Sequence, residues 1–190
     1  MKYAFYAMLS RMKNISRWSL MHNTRKENIC EHSHEVAVLA HALALLQNRL
    51  FDGSVNVEQC VLISLYHDAT EILTGDMPTP VKYDNPAIRD AYKQVEDIAA
   101  NKLLSLLPPE LESEYHSLLL PENSEEQRIV KAADKLSGLI KCVEELKQGN
   151  KEFSKARKAT EKSLREMKLE AADYFLSNCL PAYELTLDEL

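Results

Sequence analysis

Residues 64–80 read SLYHDATEILTGDMPTP. The first half closes an apolar helix, yet His67, Asp68 and Glu71 fall within five residues of it. The second half is a turn that carries Asp76, Pro78 and Pro80. Ionisable side chains resist burial unless they are paired or hold a metal. A core helix that collects three of them is therefore read for chemistry as well as for packing.

Outward from this stretch, the chain reads as helix after helix. Residues 3–14 form a short helix, followed by the polar stretch ISRWSLMHNTRKEN. Asn28 with Glu31 gives a capping box that opens a helix to about Asn48. Within it Val36, Leu39, Ala40, Leu43 and either Ala44 or Leu46 recur with helical spacing. Asn56 with Gln59 repeats the signature for a helix from Val57 to about Leu73, with Gly75 as its C-terminal cap. DMPTPVKY is a loop, because its prolines restrict themselves and the residues before them.

Asn85-Pro86 starts a helix to about Leu107, and Pro108-Pro109 breaks it and opens a shorter one ending near Leu120. Ser124 with Gln127 caps a helix from Glu125 to Gln148, stopped at Gly149. A last long helix spans Lys151 to Asn178, ahead of Pro181, with Ala156, Ala159, Leu164 and Met167 facing inward. The expected fold is all-α, a compact bundle of about seven helices in one domain over residues 1–190.

Composition sets the outer limits. The 190 residues suffice for one substantial core, with 45% hydrophobic and 27% charged side chains. A net charge of −6 argues against a nucleic-acid polymer as partner, since such binding needs clustered Lys and Arg. A small anion whose charge a bound cation offsets is still admitted. Cys30, Cys60, Cys142 and Cys179 form no CxxC pair and read as free thiols of a reducing compartment. No run approaches the ~18 apolar residues of a membrane span, so a cytoplasmic protein is expected.

Taken singly, the ionisable residues have bland readings. Asp134, inside IVKAADKLSGL, fits a solvated helix edge or an ion pair with Arg128 or Lys131, and Glu71 fits a surface charge. Asp76 fits a turn-stabilising role. Trp18 fits packing on the N-terminal helix, with Arg17 solvated. His34 and His41 share a face turned away from His32, and His22 and His116 lie in polar surroundings. What changes the balance is order: a histidine in EHSH, then the pair His67-Asp68, then a distant Asp134.

That order resembles the signature of the HD superfamily of metal-dependent phosphohydrolases. The longer stretches SRWSLMHNTRKENICEHSHEVA, LYHDATEILTGDMPTPVKY and KAADKLSGLIKCVEEL are similar to its 5′-deoxynucleotidases, over nearly the whole chain. The resemblance implies that His32, His67, Asp68 and Asp134 bind one divalent cation. Two imidazoles and two carboxylates suit Co²⁺ or Mn²⁺, with Zn²⁺, Fe²⁺ and Mg²⁺ also admitted, and leave open positions for water and phosphate.

It also implies an acid/base role for Glu71 and an active-site role for Asp76, which positions water or the leaving sugar oxygen. Arg17 is expected on the phosphate and Trp18 against the sugar or base. His32, Thr79 and Lys82 would line the same pocket. The substrate implied is a deoxyribonucleoside 5′-monophosphate and the assembly a homodimer, for which the last helix offers a seam. Two rivals stand beside this reading: an HD phosphohydrolase acting on another nucleotide, and a non-catalytic helical dimer stabilised by its metal.

Overall fold

The computed structural model describes residues 2–78 and 85–190. Among them every regular element is helical, apart from one isolated antiparallel bridge between Ser16 and Asn28. Helix α1 (Phe5–Leu9) tightens into a 3₁₀ turn, Ser10–Asn14. Helix α2 is Ile29–Leu50. Its capping box forms as expected: Asn28 Oδ1 accepts from the Cys30 and Glu31 N–H groups, and the Glu31 carboxylate accepts from the Asn28 N–H. Helix α3 (Val57–Tyr66) is capped by Asn56, and a single short turn, α4, spans Glu71–Thr74.

Asn85 and Pro86 open α5 (Pro86–Leu104), and α6 is Glu112–Leu119. Ser124 caps α7 (Glu125–Lys147), which is followed by α8 (Ser154–Glu166) and α9 (Glu170–Asn178).

Two expected helices are broken. The first was to run from Val57 to Leu73, but α3 stops at Tyr66. His67 Nδ1 takes the Ser64 carbonyl at 2.7 Å, the acceptor that a continuing helix would offer to the Asp68 N–H. The following N–H groups of Ala69, Glu71 and Ile72 then bond three residues back rather than four.

The second was to run from Lys151 to Asn178, but it divides around Lys168, which adopts φ 50°. Arg128 of α7 donates to the Met167 and Lys168 carbonyls, so α8 ends on a capping side chain from outside it. The turn delivers Leu169, Ala171 and Ala172 to the core. Leu164 faces inward as expected, Ala156 and Met167 are half-buried, and Ala159 is exposed.

The larger apolar cluster is built by α2, α3, α7, α8 and α9, around Leu43, Leu136, Leu139, Ile140 and Leu164. A smaller one joins α1 to α5 and α6 through Phe5, Leu103, Leu104 and Leu119, with Ala69 between them. His32 is fully buried on the inward stripe of α2, beside the aliphatic residues that make the main cluster.

The segment between α1 and α2 is held at two ends. Near its base the Arg17 N–H donates to the Glu27 carbonyl and the Ile29 N–H to the Ile15 carbonyl. At its far end it rests on Glu145 of α7, whose side chain is 1% exposed. That carboxylate accepts from the Thr24 N–H and hydroxyl, the Arg25 N–H, Asn150 Nδ2 and Lys141 Nζ. A buried carboxylate is tolerated only when so fully bonded. Burial alone would raise its pKa, but the donors Lys141, Asn150 and Thr24 outweigh burial and hold it well below the usual glutamate range.

Glu145→Ala leaves the Lys141 charge buried without its counter-charge, and should lower stability by roughly 3–5 kcal/mol, a Tm fall on the order of 10 °C. The pH dependence has a fixed sign. A group whose folded pKa is depressed contributes fully above its unfolded value, 4.5 for glutamate, and loses that contribution as pH falls towards the folded value. Denaturant unfolding of the unaltered protein from pH 6 to 3 should show this acid loss, and Glu145→Gln should flatten it.

Candidate active site

The site forms where the break after α3 faces α2 and α7. Because a carbonyl can only accept, His67 Nδ1 must carry the proton it shares with Ser64. That hydrogen bond turns His67 Nε2 inward, where it is buried without a hydrogen bond, 3.2 Å from Asp68 Oδ2. His32 Nε2 approaches from α2, 3.5 Å from Asp68 Oδ2 and 3.1 Å from Asp134 Oδ1 of α7. The two imidazole rings lie 5.2 Å apart. One ligand atom from each of His32, His67 and Asp68 fits within 4.8 Å of the others, and Asp134 joins through His32.

The electrostatics ask for a cation. Burial disfavours charge on both His67 and Asp68, but the attraction between them wins. His67 is pushed up to about 9, and Asp68 is held far below the usual carboxylate range. Burial, aided by the charge of Arg17, lowers the pKa of His32. Inward-turned imidazole nitrogens facing two carboxylates, with one nitrogen unsatisfied, make a donor set that a divalent cation fits.

Arg17 stands over this cluster with its side chain 13% exposed. Burial would lower its pKa, but the charges of Glu27, Asp134, Asp68 and Asp76 outweigh burial and raise it. Its guanidinium meets Glu27 Oε1 at 3.2 Å. Trp18 adopts φ 56°, a left-handed conformation costly for a bulky residue, and its backbone N–H bonds Asp76. Asp76 follows Gly75, whose φ of 74° turns the chain out of α4. The indole packs on Phe153 at 5.3 Å between centroids, while its Nε1 is buried without a hydrogen bond. Residue 138 is glycine, and even an added Cβ there would lie 3.8 Å from the indole.

Glu71 is buried as the first residue of α4. The expected arrangement, one regular helical turn beyond His67, does not hold because the chain between them leaves α-geometry. Thr79 and Lys82 lie outside the described residues. His22, His34, His41 and His116 are exposed, away from the cluster. Three residues beside the site escaped the sequence reading: Glu27, and the pair Glu35 and Ser137 behind His32. The available signal was spacing, since Glu35 follows His32 by three on α2 and Ser137 follows Asp134 by three on α7.

Solved structures of the same shape define the class. An HD-domain phosphohydrolase of Listeria innocua superposes with a TM-score of 0.82 at 25% identity, over 94% of this chain and 87% of its own. A cyanophage S-2L HD phosphohydrolase, bound to dA and one catalytic Zn²⁺, shares the fold at a TM-score of 0.68 and 19% identity, over 98% and 100% of the two chains. The fold is that of the HD-domain phosphohydrolases.

Within that class the sequence is more particular. A 5′-deoxynucleotidase of Pectobacterium atrosepticum is 50% identical over 98% of this chain and 94% of its own, and one of Vibrio atlanticus is 48% identical over 98% and 97%. A model of the 5′-deoxynucleotidase YfbR-like family matches residues 4–183, and the chain belongs to that family. It is a phosphoric-monoester hydrolase.

Saturating Co²⁺ at 100 times its Kd should stabilise the metal-stripped protein by about 2.7 kcal/mol, or about 5–10 °C in Tm. Asp68→Ala should abolish that shift. Thermal melts of both proteins, with and without the ion, make the check.

Proposed function

We propose that the protein hydrolyses deoxyribonucleoside 5′-monophosphates to deoxynucleosides and phosphate, using one divalent cation held by His32, His67, Asp68 and Asp134. The observation that carries this reading is the convergence of His32, His67 and Asp68 within 4.8 Å, in a chain of the YfbR-like family. When bound, such an ion polarises a phosphoryl oxygen and makes hydroxide available near neutral pH. Co²⁺ or Mn²⁺ are the favoured ions for this N/O set.

The remaining work belongs to the side chains. Arg17, buried and already compensated by Glu27, offers a fork to the phosphate oxygens. Asp76, its pKa raised by burial against the pull of Arg17, is suited to hold a proton near the leaving 5′-oxygen or to orient the attacking water. Glu71 serves as the second acid/base group. Water supplies the new P–O bond, the ester P–O bond breaks, and the departing oxygen takes a proton from these carboxyl groups. The indole of Trp18 takes the sugar, and apolar bulk beside C2′ would leave a ribose hydroxyl without a partner, which favours the deoxy sugar.

Thr79 and Lys82 are assigned to the same pocket through the family resemblance. The acting unit is one domain assembled as a cytoplasmic homodimer. Among the described residues no helix is long and apolar enough to cross a membrane.

Phosphate release from metal-stripped protein, measured over deoxy- and ribonucleoside 5′-monophosphates with Co²⁺, Mn²⁺, Mg²⁺, Zn²⁺ or no ion, tests the reading. Release from the deoxy set alone, dependent on the ion and lost in Asp68→Ala, is expected. Equal release from the ribo set would count against the deoxy preference. Glu71→Gln should bind metal almost unchanged while kcat falls about 10²–10⁴-fold. Loss of metal with undiminished turnover per bound ion would remove Glu71 from the mechanism.

A further inference from the structure

Behind His32, on the side away from Asp68 and Asp134, lies a hydrogen-bonded chain that no metal-ligand role explains. His32 Nδ1 lies 2.9 Å from Ser137 Oγ, and both residues are fully buried. The Ser137 hydroxyl in turn donates to Glu35 Oε2 at 2.5 Å. A hydroxyl has a single proton. With that proton committed to the carboxylate, Ser137 Oγ faces His32 only as an acceptor, and Nδ1 must carry a proton whatever Nε2 carries towards Asp134 Oδ1, 3.1 Å away, before an ion binds. Glu27 Oε1 also faces Nδ1, but at 3.8 Å it is too far for a hydrogen bond.

We propose that Ser137 and Glu35 are positioning residues, which fix His32 as its Nδ1–H tautomer and thereby reserve the Nε2 lone pair for the metal ion. The inference rests on reading His32 as a ligand. His67 Nδ1 is likewise held as an N–H by another route, through the Ser64 carbonyl. The two imidazoles thus present equivalent nitrogens, one fixed by main chain and the other by a serine whose direction a carboxylate sets. The relay spans α2 and α7, and its members follow the ligands by three residues on each helix, so the packing that joins the helices also orients the ligand.

Without Glu35 the hydroxyl is free to reverse and donate to Nδ1, which would place the imidazole proton on Nε2, where the ion binds. Outer partners of ligating histidines typically change metal affinity 10–100-fold.

The test uses full-length, metal-stripped protein titrated with Co²⁺ against a chelating indicator, for the unaltered chain, Ser137→Ala, Glu35→Met and the double variant. Each single change should weaken Co²⁺ about 10–100-fold. The double should be little worse than Ser137→Ala, because the two residues act as one unit. Glu35→Met replaces a half-buried carboxylate with an apolar chain of similar reach, and the metal-free Tm should stay level or rise. A purely structural pair would lower that Tm and leave the Co²⁺ Kd in place.

Long-range ¹H–¹⁵N spectra of the unaltered protein loaded with Zn²⁺ give a reading that needs no variant: His32 should keep its proton on Nδ1 and bind the ion through Nε2. Ligation of His32 through Nδ1, or unchanged Kd in both single variants beside a metal-binding parent, overturns the relay and leaves the ligand reading standing. A parent that binds no ion at all overturns both.

Discussion

A hydrogen bond of 2.7 Å, from the imidazole of His67 to the carbonyl of Ser64, determines where this molecule stops being regular. It removes the acceptor that the next turn of α3 would use, and the chain tightens before resuming as α4. The same bond fixes which nitrogen of His67 looks inward. Loss of helix and orientation of the His67 imidazole are thus one event. Asp68, Glu71 and Asp76 then leave the break along a path no continuous helix could provide, and Ala69 is free to join the smaller apolar cluster.

The surrounding helices serve this break by supplying charge from two sides. Helix α2 brings His32 onto Asp68, and α7 brings Asp134 onto His32. The segment ahead of α2 brings a cation, Arg17, whose burial is compensated by Glu27 and by the acidic residues of the site. Neither a guanidinium nor a carboxylate cluster would be stable at this depth alone. Each makes the other tolerable, and a bound ion would take over part of that balance.

Much of this could be read from the chain. Capping residues fixed the starts of α2, α3, α5 and α7 because Asn and Ser bond their own helix N–H groups, a local effect that needs no tertiary partner. The ordered occurrence of His32, His67-Asp68 and Asp134 pointed to residues that do meet. What was not legible depended on distant partners. The end of α8 is made by Arg128 of α7, 39 residues before Met167 and outside the reach of any local signal. The break after Tyr66 comes from a side chain that outcompetes a backbone N–H, which periodicity does not encode. Glu27, Glu35 and Ser137 look like ordinary polar residues until the two helices are brought together.

The way Glu145 holds the segment between α1 and α2 has a consequence for how the sequence can drift. Arg25 contributes only its main chain to that anchor, an N–H to Glu145 and a carbonyl to Lys141. Almost any side chain at position 25 satisfies the same two bonds, whereas positions 141 and 145 accept little but a matched cation and carboxylate. Two residues in direct contact therefore face opposite evolutionary constraints. Variation at the surface of this segment is free to accumulate while its seat on α7 stays fixed.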